Sequence, residues 1–350
     1  MAQTVDTNYC MSSFLTFRYI WDKDKVFVVG MEHPTSVTCE KGELFYCKTA
    51  EDIDCAIKKQ LSEIDLSDAV LLLSGGMDSA ILASYMPKGT KALTAKCSAE
   101  GAIDETERAA QYCHEYGLEH VIVDVSWSDY ETSMDALMIN DGCPVFANEP
   151  QVYKLAMAAK QLGAKKIIFG DNADMAFGGM DRLLSQDWDY QGWVKRYTFV
   201  EPEKVLKNPI SMEPVYSLYK VGEHGIDFIK FMDEVFAASS TGAYLNAFDL
   251  ADVASFDPYA HMKMAEPLDL QRVRSGESKY LIRELFKMKY PNLPVPEKIA
   301  MPRAVDQWLA DWKGPNRTEF IPGCADGMSG EQKFLLYSLE RFLNLLDKRN

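Results

Sequence analysis

Residues 74–79 read S-G-G-M-D-S and hold two glycines, one carboxylate and two hydroxyls directly after the apolar run A-V-L-L-L. Those residue types suit anion capture. Gly75 and Gly76 let consecutive backbone N–H groups converge on a ligand with no Cβ in the way. A helix starting here adds free donors and a partial positive charge. Ser74 and Ser79 can donate to phosphate oxygens. Asp78 would repel a phosphate unless a cation lies between them, which points to Mg²⁺. The G-x-x-x-x-G-K-[ST] loop is absent, so this would be a different cradle. The competing reading is a Gly-Gly turn with Ser79 capping a helix. The S-G-G-x-D-S pattern between a buried strand and a helix weighs against it. Gly170 and Asp171 follow a second apolar run, K-K-I-I-F, in the same kind of position. Lys279 and Arg283 lie one helical turn apart and would share a face. Either can touch phosphate, or both can be solvated or paired with Glu284.

These residues need elements to hold them. Residues 69–74, 91–97, 120–125 and 165–171 predict four strands, the first a continuous apolar run as in buried parallel sheets. Helices are expected at 78–85, at 103–117 with Asp104 as N-cap and Gly117 at the end, and at 149–163 with Pro150 in the first turn. This βαβαβαβ order predicts an α/β fold, a mostly parallel, doubly wound sheet. Ligands on such folds bind beyond the strand carboxyl ends, where both glycine stretches fall. Before residue 65 the segments F-L-T-F-R-Y-I (14–20), K-V-F-V-V-G (25–30) and E-L-F-Y-C (43–47) predict short strands, with D-K-D and E-K-G as turns, followed by a helix from residue 50. After about residue 180 the strand signal fades, and 225–239, 278–290 and 330–349 have helical spacing. The expected organisation is a β-rich N-terminal element at 1–65, a core at 66–185 and a helical C-terminal half at 186–350 that completes the acceptor pocket.

The chain has 350 residues, 47% hydrophobic and 25% charged, with a net charge of -15. That acidity argues against general binding to nucleic acid, and no apolar run approaches a membrane span. The eight cysteines (Cys10, Cys39, Cys47, Cys55, Cys97, Cys113, Cys143, Cys324) form no C-x-x-C pair, so free thiols in a reducing cytoplasm are expected.

The S-G-G-M-D-S stretch resembles the pyrophosphate loop of the ATP-pyrophosphatase superfamily. The segment F-G-D-N-A-D-M-A-F-G-G-M-D-R-L (169–183) is similar to the S-G-E-G-A-D-E-x-F-G-G-Y segment of asparagine synthetases. So are A-I-D-E-T-E-R-A-A (102–110) to its D-E-x-x-x-A segment and E-S-K-Y-L-I-R-E-L-F (277–286) to its K-Y-L-L-R-E-A-F helix. Residues 14–31 resemble the connector between the glutaminase and synthetase halves of those enzymes. The resemblance spans residues 14–308 and is densest at 70–185. It implies an adenine nucleotide alpha hydrolase-like fold and an AMP- and pyrophosphate-forming ligase. Asp78 and Asp174 would then hold Mg²⁺ on ATP, and Thr94 and Ala95 would receive adenine through backbone groups. Lys298 resembles the lysine of an R-x-K-x-x-F loop and would stabilise charge on the departing pyrophosphate. Asp171 stands for the glutamate of S-G-E-G and could accept a proton from an incoming amine.

Two departures bear on substrate. Family members that draw ammonia from glutamine carry an N-terminal cysteine nucleophile, whereas Met1 is followed here by Ala2. The nucleophile is expected from solution, from a separate ammonia or glutaminase donor, or from the substrate itself. The glutamate after Asp174 that helps recognise aspartate is Met175, so free aspartate is not the expected acceptor. The expected reaction activates a small-molecule carboxyl or amide oxygen as an adenylate for attack by nitrogen. Alternatives are sulfur insertion, with Cys97 or Cys143 as the reactive thiol, and a non-catalytic nucleotide-binding homologue. Trp188, Tyr190 and Trp193 could line the acceptor pocket or pack on the helical half.

Overall fold

A parallel sheet of five strands organises the chain, in the spatial order Ala254–Phe256, Lys166–Ile168, Ala69–Leu72, Lys91–Cys97, Glu119–Val125. The computed structural model describes residues 3–31, 33 and 43–349. Cys39 and the expected E-K-G turn at 40–42 lie outside them. Strand residues alternate between two hydrophobic layers. Ala69, Leu71 and Leu73 join one core while Val70 and Leu72 join the other, so the first strand is buried on both faces. Helix Thr106–Tyr116 and helix Asn148–Gln161 pack on strands Lys91–Cys97 and Glu119–Val125.

Strand order sets where the loops meet. From the central Ala69–Leu72 strand the chain winds outward through Lys91–Cys97 and Glu119–Val125, then returns to place Lys166–Ile168 on the other side. The loops leaving Ala69–Leu72 and Lys166–Ile168 therefore diverge at a topological switch point, which opens a crevice between them.

The expected core elements form, most of them close to their predicted bounds, while the strand read at 165–171 shortens to Lys166–Ile168. The helix read at 103–117 begins at Thr106, and Asp104 accepts from the Thr106 backbone N (2.9 Å) and hydroxyl (2.6 Å) one position before the N-cap Glu105. Gly117 ends it in the left-handed region at φ 67°.

Three readings are corrected. Residues 14–20 are not a strand: helix Thr7–Phe17 runs through them, capped by Asp6. It buries Cys10, Met11, Phe14, Leu15 and Phe17, and its buried Ser12 and Thr16 bond back to the carbonyls of Asn8 and Ser12 at 2.8 Å each. A helix buried nearly all round lacks the polar face that would mark it in sequence. The strand read at 25–30 shortens to Lys25–Val26, paired in parallel with Thr4–Val5, and the third forms as Phe45–Cys47 beside Met262–Met264. In the C-terminal half the strand signal does not vanish, because Ala254–Phe256 extends the central sheet. Helix Trp127–Asp141, started by a Ser126/Asp129 capping box, is an element the periodicity missed.

Candidate active site

A cavity of about 420 Å³ lies in the crevice and is lined by Ser74, Gly76, Asp78, Ser79, Thr94, Ala95, Gly170, Asp171, Asp174, Lys279 and Lys298. The residues expected to bind nucleotide or metal or to act in catalysis, Gly75 excepted, therefore line one space, and Arg283 is not among them. Gly75 is not part of the lining; a Cβ there would lie 3.0 Å from Oε1 of Glu105, a residue that does line the cavity. The Gly75 carbonyl accepts from Tyr112 OH at 3.2 Å and Arg108 Nη1 at 3.4 Å, so helix Thr106–Tyr116 buttresses the loop from behind. Arg283 donates to the Ser278 carbonyl at 2.7 Å, and Glu284 pairs with Arg272 at 2.9 Å.

Inside the loop the two serines fix each other. Ser79 Oγ accepts from the Ser74 backbone N at 3.0 Å and lies 3.0 Å from Ser74 Oγ, which accepts from the Gly76 N at 3.1 Å. Ser79 thus shapes the loop and is no helix cap. Gly76 is the N-cap of helix Met77–Ala83 and has no side-chain cap bond. Thr94 gives its hydroxyl to the Leu73 carbonyl at 2.8 Å, tying the second strand to the loop.

Four charges form the centre. Lys279 Nζ, on a side chain only 4% exposed, lies 2.6 Å from Asp78 Oδ2 and 2.6 Å from Asp174 Oδ1. Lys298 Nζ lies 2.9 Å from Asp174 Oδ2 and also donates to the Gly179 carbonyl. Burial pushes the Asp174 carboxyl up, but Lys279 and Lys298 outweigh it and hold the group at about 2. Burial raises Asp78 against the pull of Lys279. Burial opposes the charge of Lys279, and the two carboxylates overcome it and raise its pKa. All four side chains ionised leave the cluster neutral.

Asp171 lies beside this cluster. Burial, then the neighbouring Asp257 and Asp174 carboxylates, raise it to about 7, opposed by the Ser240 hydroxyl that donates to both its oxygens (3.2 and 3.1 Å). Asp257, raised by burial to about 6, accepts from the Asn172 N (2.9 Å), Asn172 Nδ2 (3.0 Å) and Tyr259 N (2.9 Å). It pins the turn that presents Asp171 and Asp174. Sequence reasoning missed Asp257, Ser240 and Glu105. The D-E pair at 104–105 was the one available signal.

Among the described residues no group of three or more His, Cys, Asp or Glu is placed to hold a metal ion. The Asp78–Asp174 pair is still suited to one hard cation. Asp78 Oδ1 is buried with no hydrogen-bond partner, which leaves a carboxylate oxygen for it.

A second cavity of about 600 Å³ shares the walls Phe169 and Asp174 with the first. Met175, Met232, Met262, Met264, Phe256 and Leu268 give it apolar sides, and Asn172, Thr241, Asp257, Asp233, His261, Lys263 and Glu266 are among its polar members. The Trp188–Trp193 stretch takes the packing role. Trp193 is fully buried against Trp188, Tyr197, Phe228 and Phe231. Neither Cys97 nor Cys143 lines either cavity. Cys97 Sγ contacts Gln151 Oε1 at 3.6 Å and the Pro302 carbonyl at 3.5 Å, Cys143 donates to Asp141 Oδ2 at 2.8 Å, and burial raises both thiols.

The fold and site define an α/β protein with two loops meeting over a cavity at the switch point of a parallel sheet. The asparagine synthase family model matches residues 49–224, just over half of the 350 residues, and the chain belongs to that family. Among solved structures the chain is similar to the NMN synthetase from Francisella tularensis, at 13% identity and a TM-score of 0.27, with 71% of this chain and 97% of that chain covered. No curated protein matches. Lys279 and Lys298 lie beyond the family-matched residues.

Proposed function

We propose that this protein is an ATP-dependent, AMP- and pyrophosphate-forming ligase that joins a nitrogen nucleophile to an activated carboxyl or amide carbon. The observation that carries this reading is the meeting of Asp78 and Asp174 on one buried lysine, in the cavity that also holds the S-G-G-M-D-S loop. The loop's backbone N–H groups bind β- and γ-phosphate oxygens. Lys279 and Lys298 supply positive charge where pyrophosphate departs. Asp78 and Asp174 would hold Mg²⁺, which when bound neutralises charge on the triphosphate. Thr94 and Ala95 offer their strand end to adenine.

The acceptor's oxygen attacks the α-phosphorus, and the bond from that phosphorus to the bridging oxygen breaks to release pyrophosphate. The amine nitrogen then attacks the acyl carbon, and AMP leaves. Asp171, with its pKa near 7, takes the proton lost by nitrogen. The acceptor's body fits the cavity containing Met175. Those apolar sides support an acceptor other than free aspartate.

Chromatography of the nucleotide products tests the reading. With an accepted substrate, ATP should yield AMP and pyrophosphate, and Asp78→Ala should abolish both. ADP and phosphate as products would overturn it. So would ATP binding without AMP formation across a broad carboxylate panel, the result expected of a non-catalytic homologue.

A further inference from the structure

Four cations line the nucleotide cavity: Arg18, Lys279, Lys298 and Arg303. Three have acidic partners. Lys279 and Lys298 meet Asp78 and Asp174, and Arg303 Nε lies 2.7 Å from Glu331 Oε1 while its Nη1 donates to Asn148. Arg18 differs. Its Nε is buried with no hydrogen-bond partner. Its guanidinium carbon lies 4.0 Å from the Phe199 ring centroid, 4.5 Å from Phe146 and 5.6 Å from Phe236, so the contacts that hold it are ring faces. Burial, the strongest influence on it, pulls its pKa down to about 10, against Tyr197, Glu331 and Asp171.

Its backbone is costly as well. Arg18 is the C-cap of helix Thr7–Phe17 at φ 67°, a left-handed conformation that glycine adopts without penalty. A chain that carries arginine at such a position, and leaves its guanidinium at a cavity wall among aromatic rings, has built a preorganised cation. The planar fork of arginine matches a carboxylate or comparable oxyanion. Its ring neighbour Phe236 also lines the cavity, four residues before Ser240, whose hydroxyl donates to Asp171. Arg18 is thus tied through Phe236 to the residues around Asp171 and Ser240, whereas Lys279 and Lys298 are engaged by Asp78 and Asp174.

We propose that Arg18 anchors an anionic group of the acceptor, so that the substrate carries a carboxylate or similar oxyanion besides the carbonyl that is activated. This inference rests on the proposed function, because it takes the phosphates to lie with the loop and the two lysines. The competing source of the same chemistry is a nucleotide phosphate.

The test saturates the full chain with Mg²⁺ and α,β-methylene-ATP, which fills the phosphate positions without reacting. Dianions (succinate, glutarate, phthalate) and monoanions (butyrate, benzoate) are then titrated and followed by melting temperature and calorimetry. At least one dianion should stabilise the wild-type protein more than the monoanions do. Arg18→Gln should weaken that dianion about tenfold or more, with Arg18→Lys intermediate and the affinity for the ATP analogue held within about twofold. Should Arg18→Gln fold poorly, Arg18→Gly, which relieves the left-handed strain, gives the same comparison. No dianion preference in the wild type overturns the inference. So does a loss of analogue affinity in place of dianion affinity, which would assign Arg18 to the nucleotide. Failure of the wild type to bind the analogue at all overturns the proposed function, and this inference with it.

Discussion

Lys279 stands buried between two carboxylates, and each of the three groups depends on the others. Replacing it by methionine leaves Asp78 and Asp174 buried with only Lys298 nearby. Breaking a buried pair in this way costs about 3–5 kcal/mol. Lys279→Met should show that loss in urea titrations, and the double variant Lys279→Met/Asp78→Asn should recover part of it. Asp171 makes a prediction about pH. Its folded pKa of about 7 lies above the ordinary 3.8, so the folded state binds the proton more tightly. Stability associated with this group is therefore present at low pH and lost as pH rises from about 4 to about 7. Asp171→Asn should be more stable than wild type at pH 8, on the order of 2 kcal/mol in thermal or urea unfolding. The proposed proton transfer uses the ionised form, so the acid limb of the pH–rate profile should fall near pH 7. Ser240→Ala removes a hydrogen bond that favours the carboxylate, and should move that limb to higher pH.

At the scale of elements, two turns hold the chemistry in place. The chain after Asp174 folds back so closely that a Cβ on Gly179 would lie 2.0 Å from Asp174 Oδ1 and 2.8 Å from its Cα. Gly179→Ala must push the Asp174 carboxylate away from Lys279 and Lys298. Loss of at least about a hundredfold in AMP formation is expected, with far-ultraviolet circular dichroism preserved; near-normal turnover would separate Asp174 from the reaction. Gly75 is held from behind by Glu105, Arg108 and Tyr112. Tyr112→Phe should therefore raise the KM for ATP through a looser loop, by about a few-fold, a change that initial-rate kinetics resolves.

On the scale of the whole molecule, the site is assembled from distant parts of the chain. The loop and Asp78 come from the first sheet strand and Asp174 from the turn after Lys166–Ile168. Lys279 comes from the start of helix Tyr280–Lys289, and Arg18 from the end of an N-terminal helix. The strand Ala254–Phe256 and helix Ala237–Ala251 cover the sheet edge and helix Asn148–Gln161. A chain cut after residue 224 would keep the family-matched residues and lose those elements with both lysines. It should lack a cooperative thermal transition and ATP binding, whereas the intact chain should show both in calorimetry. Among the described residues no helix is long and apolar enough to cross a membrane.

The local chemistry and the core frame can be read from neighbouring residues alone. A buried strand, two glycines and an acid at a helix start are legible because backbone freedom, periodicity and burial act over a few residues. Strand Lys91–Cys97 forms with its predicted bounds for that reason. Helix Thr7–Phe17 was not legible, since burial on all sides erased its amphipathic signal. The three-residue strand Ala254–Phe256 exists because Lys166–Ile168 offered an open edge. Only the tertiary structure brought Lys279 to Asp78 across 201 residues, or left Arg18 among aromatic rings with its Nε unpartnered. Such pairings depend on strand order and chain reversal, and no local periodicity encodes them.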